Sequence, residues 1–373
     1  MHKNHGKNQS HIREINQQLV LELLKEKPLS CKEMADILHL SNTALAKITR
    51  ELKDFKLIIE SQPPEKNEIG RRPIRLEINA KLGHIAIIDM EKFFLKVFDF
   101  AGKMQHELTL PTVLVYDIEH LNNCIKLIKD FLKEKKIKNL LSVIVITSGR
   151  INTDGSFIYA LRYKDASKIN LKKMFEDNLN APVAVKNDVC LALVSEYQNA
   201  QAQKPDSVVM LYLDKGAGCA FAWGGNVYEG NRGFAGEIGL IKDNLTGDIL
   251  DNLISVRALI KLFEEAGHKL SLNQISQGFK TGEEQIVKVV NNFAKRVSKA
   301  IIDLLLILDT QIVLINGSIR SLGEGFLEII RQELSQNQYL KTQVLYSKDE
   351  NCTINGAFLL AQNLAISNII KKA

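Results

Sequence analysis

Apolar residues recur at helical spacing near the start of the chain. Ile15, Leu19, Val20, Leu21, Leu23 and Leu24 precede Pro28 and predict a helix from about Arg13 to Glu26. Ser30 and Glu33 have the spacing of a capping box, opening a second helix with Met34, Ala35, Ile37 and Leu38 on one face. His39, Leu40 and Ser41 form the turn. A third helix opens at Ser41 or Asn42, both good caps, and carries Ala44, Leu45, Ile48 and Leu52 inward while Thr43, Lys47 and Arg50 face out. Leu57 to Glu60 and Pro73 to Ile78 read as short strands around the polar loop SQPPEKNEIGRR. Helix, helix, short turn, helix and hairpin is the pattern of a winged helix-turn-helix, assigned to residues 1–80.

From Gly83 onward the pattern becomes strands alternating with helices, the mark of an α/β domain. Strands are expected at His84 to Asp89, Phe94 to Asp99, Leu141 to Thr147, Pro182 to Val185, Ser207 to Leu213, Gly218 to Trp223, Ile312 to Ile315 and Gln343 to Leu345. Helices are expected at about 118–136, 188–200, 253–267, 284–308, 322–335 and 355–371. HIAIID followed by FFLKVFDF, and VVMLYLD followed by GCAFAW, are two copies of one unit: a strand ending in Asp, a tight turn and a return strand. The echo predicts two related lobes, 81–186 (joined by the C-terminal helix, 355–373) and 187–354.

Composition adds limits. In the 373 residues, 45% apolar and 25% charged, the five cysteines are scattered and never spaced as CxxC, which argues against a disulfide framework and a structural zinc site. No stretch approaches the roughly 20 uninterrupted apolar residues of a membrane helix, and the polar first residues lack a signal-peptide core. A cytoplasmic protein without membrane contact is expected. Of the formal charge of +6, half sits in residues 1–80, where 14 Lys and Arg face 11 Asp and Glu. That is compatible with a polyanionic partner.

In a helix-turn-helix the exposed N-terminal residues of the third helix reach base edges. Here those are Asn42, Thr43 and Lys47; Asn pairs with adenine, Thr touches a thymine methyl, and Arg50 is better placed for phosphate. Arg71 and Arg72, beside Gly70 at the wing tip, suit a narrow minor groove. A protein-docking module is the alternative. Farther on, Asn187 and Asp188 stand between a strand end and a helix, where they can clasp adjacent hydroxyls or merely cap the helix. Gly236 and Glu237 lie in EGNRGFAGEIG, whose glycines allow close approach of backbone to a ligand. Asp214, Gly216 and Gly218 form a turn whose N–H groups could cradle phosphate, or a plain hairpin turn.

Taken in order, GRRP at 70–73, NDV at 187–189, GAG at 216–218, GFAGEIG within 229–239 and VLINGSI at 313–319 resemble the ROK family (repressor, open reading frame, kinase) over nearly the whole chain. The resemblance implies a two-lobed actin and hexokinase-like, ribonuclease H-like sugar kinase fold. It places Gly149, Asn187, Asp188, Gly236 and Glu237 on the sugar side, with Asp188 at the kinases' catalytic base position. Where family kinases carry a Gly-Gly-Thr phosphate loop after the first-strand Asp, this chain reads Met90-Glu91-Lys92 after Asp89, and phosphoryl transfer depends on positioning that phosphate. The family's zinc site uses a His shortly after GEIG and a CxCGxxGC segment; here Leu240 and IKDNLTGDILDNLIS stand there. The expectation is a nucleoid-associated regulator, a repressor of carbohydrate genes, that binds operator DNA as a homodimer or dimer of dimers and answers to a sugar or sugar phosphate. It would be no enzyme and use no metal or cofactor. The alternatives are an ATP-dependent sugar kinase with an appended DNA-binding domain and a scaffold that senses no sugar.

Overall fold

The computed structural model describes residues 5–61, 74–152, 154–159, 162–199 and 205–372. The chain divides into two compact units, one of residues 1–145, 171–184 and 360–373, the other of 146–170 and 185–359. Residues 146–170, expected in the first lobe, therefore cluster with the second, because chain order and packing neighbourhood part company at the end of a central strand.

In the first unit, α1 (His5–Glu26) starts earlier than Arg13. At α2 (Cys31–Leu38) the capping box forms as read: Ser30 Oγ accepts the Glu33 N–H, and the Ser30 N–H donates to Glu33 Oε2 at 2.7 Å. His39, in left-handed backbone with φ 54°, stops that helix. Ser41 caps α3 (Asn42–Asp54) by accepting the Ala44 N–H at 3.1 Å. Leu45, Ile48 and Leu52 are buried and Ala44 is half-buried, so the outward face is the one the spacing assigns. A two-residue strand, β1 (Leu29–Ser30), joins β2 (Ile58–Glu60) and β3 (Arg75–Ile78) in an antiparallel sheet of order β1-β3-β2. Two residues are too few for periodicity to reveal. Arg13 and Gln17 of α1 both donate to Glu51 of α3, and Arg75 of β3 donates to Glu33 of α2. These partners bind the arginines into the head's own framework.

The first α/β sheet is built from β4 (His84–Asp89), β5 (Phe94–Asp99), β6 (Met104–Thr109), β7 (Leu140–Ile146) and β10 (Val183–Lys186), with α4 (Ile118–Glu134) and α5 (Leu171–Leu179) between them; its order is β10-β7-β4-β5-β6. Between β7 and α5 lies a small pair, β8 (Arg150–Ile151) and β9 (Phe157–Tyr159). β6 was not expected: its sequence, MQHELT, is polar and mostly exposed, as an edge strand allows.

In the second unit, α6 (Asp188–Asn199), β11 (Ser207–Leu213), β12 (Ala217–Trp223) and β13 (Asn226–Val227) are followed by α7 (Asp251–Ile254), α8 (Val256–Glu265), α9 (Leu272–Thr281) and α10 (Glu284–Leu308). Then come β14 (Ile312–Asn316), α11 (Glu324–Ser335), β15 (Gln343–Tyr346) and α12 (Cys352–Lys372), of which residues 352–359 belong to this unit and the rest to the first. The sheet runs β13-β12-β11-β14-β15, antiparallel through β11 to β13 and parallel from β11 to β15. Both sheets thus share one strand order, with the first strand central, the second and third on one side and the fourth and fifth on the other. That is the repeat the two HIAIID-like segments announce. On β11, Val209, Leu211 and Leu213 face the cluster holding Phe293, Val297 and Phe326, while Val208 and Met210 face Val189, Ala192 and Leu193 of α6. A strand covered on both faces reads as a continuous apolar run, as this one does.

α12 was expected to begin at residue 355 and begins at Cys352. Its segment Cys352–Lys371 is long and apolar enough, by composition, to cross a membrane, contrary to the expectation that no stretch comes near that length. Ala357, Ala361 and Ala365 are fully buried, and Gln362 Nε2 donates to the Phe100 carbonyl at 2.8 Å, the contacts of a core helix.

The inward and outward faces of α3 give a direct test. Leu45→Ala should lower the head's unfolding free energy by about 2–5 kcal/mol, read as a shift in its urea midpoint, whereas exposed Lys47→Ala should leave that midpoint unchanged within about 0.5 kcal/mol.

Candidate functional site

The first group of candidate residues lies on α3. Asn42, Thr43, Lys47 and Arg50 are all exposed along one face, and Lys53, the next cation, donates to Glu60 at 2.7 Å. Arg71 and Arg72 lie outside the described residues.

The second group assembles within the second unit. β10 ends at Lys186, whose carbonyl accepts the Thr147 N–H at 3.2 Å, bringing the Ser148-Gly149 turn beside it. Gly149 has φ 105°, a backbone that only glycine adopts without strain. Lys186 Nζ bonds both carboxylate oxygens of Glu229, at 2.7 Å to Oε2. At the start of α6, Asn187 Oδ1 and Asp188 Oδ1 each accept the Val189 N–H at 2.9 Å. Helix capping and ligand contact are compatible here, since each side chain has a second polar atom.

The glycine-rich segment closes the group by steric fit. A Cβ on Gly236 (φ 87°) would lie 2.0 Å from the Cys219 carbonyl oxygen of β12, and one on Gly233 would lie 2.4 Å from that of Ile151. The Gly236 carbonyl in turn accepts the Cys219 N–H at 3.1 Å. Glu237, half-buried, follows at once. Burial pushes the Cys190 thiol up to about 12, helped by Glu229, Asp188 and Glu237 and opposed by Lys186. Lys186 and Glu229 are the members the sequence offered no way to pair, since 43 residues separate them.

The turns that resemble phosphate loops are closed on the protein itself. Ala217 donates its N–H to Asp251 Oδ1 at 2.7 Å, a Gly216 Cβ would lie 3.0 Å from that same oxygen, and Gly218 faces Val189. Asp214 Oδ1 accepts the Ser318 hydroxyl at 2.7 Å. In the first unit, Asp89 is 1% exposed and its Oδ1 accepts the N–H groups of Glu91 and Lys92, each at 2.8 Å. Burial raises the Asp89 carboxyl above its ordinary range while those two donors pull it back. In both turns a carboxylate of the protein itself accepts backbone N–H groups.

The segment after Glu237 bears on zinc. Lys242 and Ile249 pair as a bridge, and Asp243 Oδ2 accepts the N–H groups of Leu245 and Thr246 and the Thr246 hydroxyl. Asp243 Oδ1 accepts Lys299 Nζ of α10 at 2.8 Å. The Lys299 bond is the main reason the Asp243 carboxyl is held down at about 2. Residues 237–251 contain neither His nor Cys, and among the described residues no three His, Cys, Asp or Glu side chains converge as a metal site. This donor set does not fit the zinc that the family resemblance implies.

A cavity of about 510 Å³ opens at the carboxyl ends of β11 and β14, lined by Tyr212, Asn316, Ser318, Arg320, Tyr346 and Glu350 among others. It shares no residue with the Asn187, Asp188 and Glu237 group. Crevices of this kind lie where parallel strands end.

This doubled strand order defines an α/β protein of sugar-kinase-like fold carrying an N-terminal helical head. The sequence model of the ROK family matches residues 86–363, and the chain belongs to that family. It is 22% identical over 365 residues to the xylose repressor of Caldicellulosiruptor bescii, covering 89% of this chain and 90% of that one. A solved ROK family transcriptional regulator, described as a homolog of the Escherichia coli Mlc protein, has the same fold, with a TM-score of 0.77 and 21% identity across 97% of this chain and 99% of its own. The ROK hexokinase of Thermus thermophilus matches 76% of this chain with 99% of its own, at a TM-score of 0.62 and 18% identity.

The seat of the glycine-rich loop is open to mutation. Gly236→Ala adds a clash with the Cys219 carbonyl to a strained backbone, whereas Gly225→Ala, at a similar φ of 89° with open space around it, adds strain alone. Thermal unfolding should show the first destabilised by about 1–3 kcal/mol more than the second.

Proposed function

We propose that this protein is a DNA-binding transcriptional regulator of carbohydrate genes, acting as a repressor, whose hold on its operator changes when a sugar binds the Asn187, Asp188 and Glu237 group. The observation that carries the reading is the exposed face of α3, on which Asn42, Thr43, Lys47 and Arg50 stand at the spacing of a recognition helix. Asn42, Thr43 and Lys47 read base edges and Arg50 holds phosphate; Arg71 and Arg72 enter the minor groove from the wing. Palindromic operators call for two such heads, so the working form is a homodimer or a dimer of dimers, in the cytoplasm and associated with the nucleoid. The name of the C. bescii relative, a xylose repressor, supports the same reading.

The effector is an uncharged sugar. Among the charges that act on Cys190, three carboxylates (Asp188, Glu229 and Glu237) stand against one cation, Lys186, a balance that suits hydroxyl donors and repels a phosphate ester. Gly149 and Gly236 bring backbone close to the ring. Asp188 stands at the base position of the kinases without serving as one here, because Met90, Glu91 and Lys92 stand where family kinases carry Gly-Gly-Thr. The turn of Asp214, Gly216 and Gly218 is a vestige of a phosphate loop. No metal or cofactor takes part.

Fluorescence anisotropy with the DNA upstream of the protein's own gene tests the head. Asn42→Ala should cost about 1–3 kcal/mol and relax specificity at one base pair, and Arg50→Ala should weaken all sequences alike while reducing the salt slope by about 1. An unchanged affinity in both variants would sink the DNA reading. Thermal melting against xylose, glucose and N-acetylglucosamine, their phosphate esters and Mg-ATP tests the sensor. One free sugar should raise the midpoint, by about 2.7 kcal/mol of stabilisation at 100 times its Kd, with no shift from the esters or ATP. A shift with ATP would restore the kinase reading, and a flat panel would leave a scaffold.

A further inference from the structure

The loop that carries Glu237 is seated at one end, where Gly236 meets β12 and Ile238 enters the core. Beyond Gly239, Leu240, Ile241 and Lys242 are exposed, so the downstream end has little side-chain packing of its own. The family resemblance implies a zinc held by a His and cysteines in this region, and residues 237–251 contain neither. We propose that Asp243 is a positioning residue that does the fastening instead, joining the hairpin after Glu237 to α10 through Lys299 and so setting where Glu237 stands.

The geometry is that of a hub. One oxygen of Asp243 gathers three donors from its own turn, at 2.9 to 3.2 Å, and the other reaches across 56 residues to Lys299. The Asp243 side chain is 9% exposed although the residues on either side of it are open to solvent, so it points into the fold. The Asp243 N–H donates to the Asp248 carbonyl and its carbonyl accepts the Gly247 N–H, closing the hairpin from both ends. A second carboxylate finishes the strap: Asp251 receives the Ala217 N–H and pairs with Arg257. Glu237 lies between these two anchors and the Gly236 seat. A carboxylate with four donors is a fixed node of the kind a tetrahedral metal supplies. Carbon and oxygen chemistry replaces thiolate, and the loop's order becomes independent of zinc supply and of thiol oxidation.

The reading of Glu237 as a sugar contact underlies the positioning role, so the test has two arms. Hydrogen exchange of the full-length protein measures residues 236–250 with and without EDTA, and metal content is determined on the same sample. Wild type should carry no stoichiometric zinc and exchange identically in both conditions; Asp243→Asn should exchange about tenfold faster in this segment with α10 unchanged. Lys299→Met, which removes only an exposed tether, should give a smaller acceleration in the same segment, and it decides the matter if Asp243→Asn fails to fold. Stoichiometric zinc, an EDTA effect, or unchanged exchange in the variants would overturn the proposal. In the second arm, Asp243→Asn should weaken whichever of xylose, glucose and N-acetylglucosamine binds wild type by about tenfold or more. If no sugar binds while the exchange pattern holds, the sensor reading fails and the fastening role stands; if sugar binds equally to the variant, the positioning role fails.

Discussion

The close approach of the 230–239 loop to the backbone of β12 is the constraint on which the second unit's chemistry depends. The Gly236 position leaves no room for a Cβ beside the Cys219 carbonyl, and the reciprocal bond from the Cys219 N–H fixes the loop in register with the strand. From that seat follow the position of Glu237, the Glu229 carboxylate that reaches Lys186, and the start of the strap that ends at Asp251. The strand itself is rigid because β11 beside it is buried on both faces, packed by α6 on one and by α8, α10 and α11 on the other. Rigid backbone carrying polar groups at its ends is how a fold presents a site with little entropic cost.

Carboxylates that bind the protein's own backbone recur in the α/β part of the chain. Asp89 holds the first turn, Asp251 the second, and Asp243 the hairpin after Glu237. Each satisfies backbone N–H groups that would otherwise be exposed donors for an anion. The common effect is turns whose backbone donors are satisfied from within the fold.

Much of this was legible in the sequence, and the reasons are physical. Capping residues declare themselves by spacing, and Ser30 with Glu33 and Ser41 perform as read. Glycine at the 236 position is a steric demand that any reader can suspect from GFAGEIG, though only the structure shows what it meets. The short or polar elements escaped, such as β1 with two residues and β6 with its exposed edge sequence, because neither buries enough apolar surface to leave a period. α9 escaped too, although its cap Ser271 and Gln274 form the same capping box that betrayed α2.

What the sequence alone determined is the local and the repeated: helix caps, the inward and outward faces of α3, two copies of a strand-turn-strand unit, and the glycines that permit tight backbone. These are set by interactions among residues a few positions apart, so they are written in the order of the chain. The pairings that give the site its character are long-range: Lys186 with Glu229, Ala217 with Asp251, Asp243 with Lys299, and the assignment of 146–170 to the second unit. Only the tertiary structure decided those, because a charge or a backbone donor takes whichever partner the packed core brings within 3 Å, and the sequence does not say which that will be.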